Sequence, residues 1–493
     1  MKPARLLKTP AKSEVLTQLR EVFRQADFTV PAITALLGGT PITGLKSRSP
    51  RLLYATRTRT KFDILIRLFV AGVPAGIEEA ASTLDPVPLE ALAKLGVLRM
   101  LPTTVQPLIS VLPHDDLIIA SDQPFRSGVA PDYVPGILDS SVFLELFAIR
   151  RPFDSALDIG TGCGVQALRA SLHTEHVAAV DASSRALDFA RFNAALNGVE
   201  NIQFVLGNGF EPFAGLQFDL IVGNLPFVIT PAARYMYRDS GMKLDDFAHR
   251  IIQEAPEHLT DGGFCQILCQ WIEREGEDWR ERLPTWFDGS GCDVWVMKND
   301  SLPPDAYAEK WIADTEPHPA EGVERLFEQW MEFYTAERIT AIHSGAIAMR
   351  RREGDNWIRM DDGPDRARSA FGGTVLRAFA LGDYLQHMDD AALLEQRLRV
   401  SPNIHLIQRC DWEKGAWRAE AAQLRFHREL EYMANVDQYV ATLVARCTGE
   451  RAVRDLIAQL ASESGIAPEA LEPACLQLVR GMVERGFVLP TTL

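Results

Sequence analysis

Along the 493 residues the spacing of apolar positions changes twice. Up to about residue 135 they recur at helical intervals, and 62–70, 77–84 and 89–95 read as three short helices. The apolar stretches 108–112 and 117–120 then flank Pro113-His114-Asp115-Asp116, a turn composition, which predicts a hairpin. Helices followed by a hairpin are the order of a winged helix, a fold that binds nucleic acid in some proteins and packs on a partner domain in others. From about 139 short continuous apolar runs take over. Residues 155–159, 177–180, 202–206, 220–222 and 264–269 read as buried strands, with helical stretches such as 184–196 and 246–259 between them. That alternation predicts a mostly parallel sheet covered on both faces. Two more strands are expected at 293–297 and 341–349, separated by a helical stretch whose Trp311, Phe327, Trp330, Phe333 and Tyr334 read as core. Past about 365 the rhythm is mostly helical again, with segments at 436–447, 451–461 and 468–485 and an exit through Gly486.

The predicted organisation is an α/β chain in three parts. Residues 1–135 form a helical, winged-helix-like domain. Residues 136–360 form the sheet domain, with a helical insertion at about 303–338. Residues 361–493 form a mostly helical accessory domain, winged-helix-like at its end.

Composition narrows the function classes. The chain is 47% hydrophobic and 24% charged, ordinary globular proportions that exclude collagenous, disordered and low-complexity readings. Seven Cys, none in a C-x-x-C pair, argue against a disulfide framework or a zinc cluster, and no metal is assigned. The basic, polar N-terminus lacks the apolar stretch of a signal peptide, and no apolar run is long enough to span a membrane; a cytoplasmic protein is expected. The net charge of −15 is uneven: residues 1–67 carry thirteen basic residues against Glu14, Glu21, Asp27 and Asp63, a net of +9, leaving −24 on the rest. Lys46, Arg48, Arg51, Arg57, Arg59 and Lys61 form a strip that reads either as a solvated face or as a surface for an anionic partner.

Chemistry concentrates at four strand ends. The first strand closes on Asp158 and turns through Gly160-Thr161-Gly162-Cys163-Gly164 into a helix, glycines that allow sharp bends and close approach of a ligand. The second strand ends in Asp181, where a carboxylate can bridge two ribose hydroxyls. The third ends at Gly207-Asn208-Gly209-Phe210, and the fourth runs into Asn224-Leu225-Pro226-Phe227. In an open α/β sheet all four point into one crevice.

This constellation resembles the class I S-adenosylmethionine-dependent methyltransferases, in the branch with an N-P-P-[YF] motif. That branch includes glutamine-N5 methyltransferases of release factors, nucleobase amino-methyltransferases and "small methyltransferase" domains. The resemblance is carried by the glycine turn, by Asp181-Ala182-Ser183-Ser184-Arg185, by Asn193-Ala194-Ala195-Leu196-Asn197-Gly198 and by Asn224-Leu225-Pro226-Phe227. It implies a Rossmann-like seven-stranded methyltransferase sheet with S-adenosyl-L-methionine as cofactor. Asp158, Gly160, Thr161, Gly162 and Gly164 would cradle the methionine part, Asp181 the ribose, and Ala182, Asn208, Gly209 and Phe210 would lie by the adenine, with Asn224 reaching the same site. Two positions depart from the pattern: Asn208 stands where the family commonly has Asp, and Leu225 where it has its first Pro.

The resemblance also implies the chemistry. A planar amide or aromatic amino nitrogen is a poor nucleophile because its lone pair is delocalised. The Asn224 side-chain carbonyl and the Leu225 main-chain carbonyl would hold its two N–H groups, turning the lone pair toward the methyl donor. Phe227 would stack on the flat acceptor, Pro226 keeps the motif, and no separate base is needed. The loop after the motif offers Tyr237, Arg238 and Asp239 as substrate-side candidates. Ser140 and Ser141 stand near the cofactor's expected carboxylate or cap a helix. The expected function is methyl transfer to a planar nitrogen of a macromolecule, either a protein glutamine amide or a nucleobase of RNA or DNA. A small amide or amine metabolite is the alternative acceptor, and a cofactor-binding protein that has lost its chemistry is the alternative class. Oligomeric state and the role of the C-terminal part are not legible.

Overall fold

The computed structural model describes residues 13–39, 49–124, 130–315, 322–363, 369–428, 430 and 432–492. Its contacts divide into two units: the described residues up to 145 together with 151–361, and 146–150 together with the described residues from 362.

The first unit is built on an eight-stranded sheet. In chain order its strands are β1 (Phe153–Ile159), β2 (Thr174–Asp181), β3 (Ile202–Leu206), β4 (Phe218–Asn224), β5 (Leu259–Arg274), β6 (Cys292–Leu302), β7 (Ile339–Arg351) and β8 (Ile358–Asp362). Across the sheet they run β8-β6-β7-β5-β4-β1-β2-β3. The first five are mutually parallel, and β7 lies antiparallel between β5 and β6. Ala156, Leu157 and Ile159 on β1 and Leu220, Ile221 and Val222 on β4 are all buried, as central parallel strands require. Where seven strands are expected, β8 is the eighth. Its sequence Ile358-Arg359-Met360-Asp361-Asp362 has no apolar run; it is held through Trp295, whose indole N–H donates to Asp361 at 2.9 Å while Arg359 lies 4.7 Å from the ring centroid.

Six helices matter for the site: α1 (Asp139–Phe147), α2 (Val165–Ala170), α3 (Ser184–Asn197), α4 (Asp246–Glu254), α5 (Pro304–Thr315) and α6 (Val323–Ala336). Ser183 caps α3 by accepting the Ala186 N–H, and Gly198 ends it at φ 72°. Helices α5 and α6 fill the connection between β6 and β7, and Tyr307, Trp330 and Tyr334 are buried in their own core cluster.

N-terminal to the sheet, helices at Lys61–Leu65 (continued by a π-helical turn to Val70), Ile77–Leu84 and Leu89–Lys94 accompany a sheet of Ala75–Gly76, Thr104–Pro107 and Leu98–Met100, a winged-helix order. Its hairpin pairs Leu98–Met100 with Thr104–Pro107. The expected hairpin at 108–120 exists as Ile109–His114 paired with Leu117–Asp122, but as a separate two-stranded sheet that packs on α3. There Asn193 and Asn197, one turn apart, imitate a neighbouring strand. Asn193 accepts the Ala120 N–H at 2.7 Å and donates to its carbonyl at 2.8 Å, and Asn197 does the same for Ile118 at 2.9 and 2.8 Å. One core cluster runs from Leu16, Phe23 and Phe69 to Val165, Phe189 and Phe192.

The second unit has helices at Gly372–Gln386, Asp390–Leu394, Gln438–Ala445, Val453–Ser464 and Pro468–Glu484. It also holds two three-stranded sheets, more strand than the apolar rhythm indicates. The long hairpin Ile404–Glu413 with Ala416–Phe426 escapes a periodicity reading because its outer part is exposed on both faces, Trp412 at 61% and Trp417 at 69%.

Candidate active site

The glycine turn is held by its own strand ends. Gly160, Gly162 and Gly164 all have positive φ, 69°, 56° and 88°, which a side chain would strain. Asp158 is buried; its Oδ2 accepts the Thr161 hydroxyl at 2.7 Å and the Ala167 N–H at 3.0 Å, tying the turn to α2. Burial pushes its carboxyl up to about 7. Asp181 accepts the Ser183 N–H at 2.8 Å and the Gly162 N–H at 2.9 Å, and burial raises its carboxyl also.

The register of the sheet brings the second motif alongside. Ile159 on β1 faces Gly223 on β4, and a Cβ placed on Gly160 would stand 3.8 Å from the Asn224 carbonyl oxygen. Asn224 Nδ2 donates to Ser140 Oγ at 3.0 Å. Its Oδ1 is buried and receives no hydrogen bond among the described residues. The serine at the start of α1 thus spends the amide's donor side and leaves the acceptor side available. That is a different task from the cofactor contact or helix cap expected of Ser140. Ser141 uses its main-chain carbonyl to accept from Gln166 Nε2 at 2.8 Å.

A cleft enclosing about 1040 Å3 of space, part of it open to solvent, lies over these groups. Of the residues named from sequence, Asp158, Gly160, Thr161, Gly162, Asp181, Ala182, Asn208, Gly209, Asn224, Pro226 and Tyr237 line it. Ser141, Cys163, Ser183 and Gly207 line it as well, whereas Gly164, Phe210, Leu225, Phe227, Arg238 and Asp239 do not. A Cβ on Gly164 would meet that of Ala190 at 3.0 Å, so this glycine lets α3 approach. Phe210 stacks on His258, centroids 4.4 Å apart. Leu225 is buried in the core beneath the sheet, so packing, in place of a proline ring, fixes the motif's second residue. Phe227 packs against the α5–α6 cluster instead of facing the cleft. Arg238 and Asp239 are buried and pair with each other at 2.8 Å. Asn208 Oδ1 accepts from Arg250 Nη2 at 3.2 Å.

Sequence reasoning missed one wall entirely. Tyr133, Val134, Pro135, Gly136 and Leu138 line the cleft, as do Met236 and Phe247. The 130–138 segment is strapped down by Asp122, which accepts the Val134 N–H at 2.7 Å and pairs with Arg185, and by Arg185, which donates to the Asp132 carbonyl at 3.0 Å. Tyr133 meets Tyr237 edge to face at 5.7 Å, and the Met236 N–H donates to the Pro131 carbonyl at 2.9 Å. Only the Pro135-Gly136 pair marks this segment in the sequence, and it signals a turn without saying what the turn faces.

Residues 137–273 match the family described as Methyltransferase small domain. S-adenosylmethionine is the cofactor of such domains, and the residues here fit it: Gly160 and Gly162 leave a Cβ-free cradle, and two Asp carboxylates and an unpaired amide oxygen face one cleft. The flanking segments 25–108 and 377–490 match two domains of unknown function, DUF7059 and DUF7782. Among curated proteins the chain is similar to a ribosomal protein uL3 glutamine methyltransferase of Bradyrhizobium diazoefficiens, 36% identical over 30% of this chain and 51% of the relative. It is also similar to release factor glutamine methyltransferases of Aliivibrio fischeri (30%, covering 28% and 51%) and Escherichia coli (32%, covering 24% and 47%). The chain spans about half the length of these relatives. Among solved structures, a ribosomal protein L11 methylase from Lactobacillus delbrueckii subsp. bulgaricus matches at 18% identity and a TM-score of 0.25, over 43% of this chain and 77% of that one. Among the described residues, no helix is long and apolar enough to cross a membrane.

Proposed function

We propose that the methyltransferase small domain of this chain transfers a methyl group from S-adenosylmethionine to the side-chain amide nitrogen of a protein glutamine. The observation that carries this reading is the Asn224 amide, oriented by Ser140 so that its unpaired Oδ1 stands beside the glycine turn. When bound, the cofactor supplies a methyl on a sulfonium, already activated for displacement. Asp181 and the Cβ-free turn would hold it, with Asp158 fixing the turn from below. Asn224 Oδ1 accepts one N–H of the acceptor amide and the Leu225 carbonyl the other. These in-plane contacts fix the amide so that its lone pair, perpendicular to that plane, can face the methyl donor, and they steady the positive charge that grows on nitrogen until one N–H proton leaves to solvent. Tyr133 and Tyr237, not Phe227, supply the flat faces of the acceptor slot.

A protein acceptor is favoured over nucleic acid by the relatives' printed names and by the fate of the basic strip. Arg51 donates to the Leu37 carbonyl, Arg57 lies over Tyr54 at 4.0 Å, Arg59 is paired with Glu79, and Arg67 is spent on the Leu53 carbonyl and the Thr56 hydroxyl. Lys46 and Arg48 lie outside the described residues. Lys61 is exposed, but guanidiniums already engaged are poorly placed to neutralise phosphates and so to release the counterions condensed on a nucleic acid. The test is incubation with methyl-labelled S-adenosylmethionine and a cell extract. Label that survives nuclease, is lost to protease and maps to a glutamine 14 Da heavier is expected; label lost to nuclease overturns the reading.

A further inference from the structure

We propose that the α5–α6 hairpin inserted between β6 and β7 is an acceptor-positioning device, with Tyr307 and Tyr334 as its positioning residues. The inference rests on the reading above, since it concerns the wall that the acceptor would meet.

The loop from Leu225 to Asp239 carries Pro226, Met236 and Tyr237 into the cleft; the Leu225 N–H donates to the Leu268 carbonyl on β5 at 3.4 Å, and the Arg234 and Tyr235 N–H groups donate to Asp239 Oδ2 at 2.7 and 2.9 Å, which leaves Ile229 between these anchors without a strand or local partner. Buried main-chain groups must nevertheless be paired. At one end of the loop both polar groups of Ile229 are taken by the insertion. The Ile229 N–H donates to Tyr307 Oη at 3.0 Å, and Tyr334 Oη donates to the Ile229 carbonyl at 2.8 Å. Tyr307 is itself fixed to the sheet, donating to Gln270 Oε1 on β5, whose Nε2 donates to Ser344 Oγ on β7 at 2.8 Å. At the other end Arg238 donates to Thr315 Oγ1 at the end of α5 and lies over the rings of Tyr235 and Trp330. The two ends are joined by the Val228 N–H, which donates to the Arg238 carbonyl at 2.9 Å.

Filling volume does not require these hydroxyls. Phe would pack as well as Tyr at 307 and 334, each 1% exposed, and would bury fewer polar atoms. Both hydroxyls are spent on one residue, two positions beyond the motif, and neither touches the glycine turn or the Asp158 and Asp181 side. Their loss should therefore loosen the acceptor wall and leave the cofactor wall as it is.

The experiment uses the full chain carrying Tyr307→Phe and Tyr334→Phe, with the single Tyr334→Phe variant as the milder perturbation. Three quantities are compared with the parent: affinity for S-adenosylhomocysteine by calorimetry, hydrogen exchange of the Ile229 amide, and labelled methyl transfer to extract protein at a series of extract concentrations. Expected are an affinity within twofold of the parent, exchange at least tenfold faster, and methyl transfer at least tenfold lower, with the single variant between. Unchanged exchange, or unchanged transfer despite faster exchange, overturns the proposal, as does an affinity that falls in parallel with transfer, because the role is then general packing. Should the parent label nucleic acid instead, the glutamine reading fails, while the ratio of variant to parent on that polymer still tests the brace.

Discussion

The two walls of the cleft are secured by different means. On the cofactor side the turn from Gly160 to Gly164 is held from close by in sequence and by the end of the next strand: Asp158 ties it to Ala167, nine residues on, and Asp181 accepts from Gly162. On the proposed acceptor side the side chains that fix Asn224 and Ile229 come from far along the chain. Ser140 is 84 residues from Asn224, Tyr307 is 78 from Ile229 and Tyr334 is 105 from it. A wall built from local main chain is committed as soon as its strand forms. A wall built from distant side chains can be exchanged by changing an insertion, which suits the part of a transferase that selects the acceptor.

The largest test of this contrast is Asn224→Ala. It should lower methyl transfer by about 10²–10³-fold, the cost of one lost acceptor at a charge-developing centre. S-adenosylhomocysteine affinity, read by calorimetry, should change far less. Equal losses in both would erase the division between the walls.

The cofactor side is probed by pH. The buried Asp158 carboxyl, raised from an ordinary 3.8 to about 7, holds a proton that the unfolded chain has already lost. Stability should therefore fall as pH rises from about 4 to about 7 and level off above, by at most about 4 kcal/mol from this group. Denaturant titrations across that range should show the slope, and Asp158→Asn should flatten it.

Ser140→Ala should reduce methyl transfer by about tenfold, the worth of one orienting hydrogen bond, with Ser140→Thr restoring part of it. A serine that only starts α1 would move the melting temperature and leave the ratio of transfer to cofactor affinity unchanged. The smallest effect is expected from the basic strip. Arg57→Ser with Arg59→Ser should shift stability by no more than about 1 kcal/mol, as for exposed pairs. Retention on a phosphate polymer across a salt gradient should be unaltered, and a large change would return nucleic acid to consideration.

Legibility follows the same line as the contrast. The four strand ends were readable because each is an apolar run stopped by a short polar or glycine signal, and parallel pairing puts such ends together without further information. The role of Ser140 was not, because a serine before an apolar helix has the same sequence signature whether it caps that helix or turns an amide 84 positions away. Arg238 and Asp239 read equally as substrate contacts or as partners of each other, because adjacent opposite charges in a loop fit both; the packing of α5 and α6 buries them as a pair.

By itself the amino-acid order determined the parallel sheet, the glycine turn and the presence of Asn224 at a strand end, since these follow from hydrophobic period and backbone freedom over a few residues. The tertiary structure alone decided which way the Asn224 amide faces, which aromatic rings line the cleft and which hairpin joins the N-terminal three-stranded sheet. Those outcomes depend on hydrogen bonds and contacts between positions tens of residues apart, and no local pattern records them.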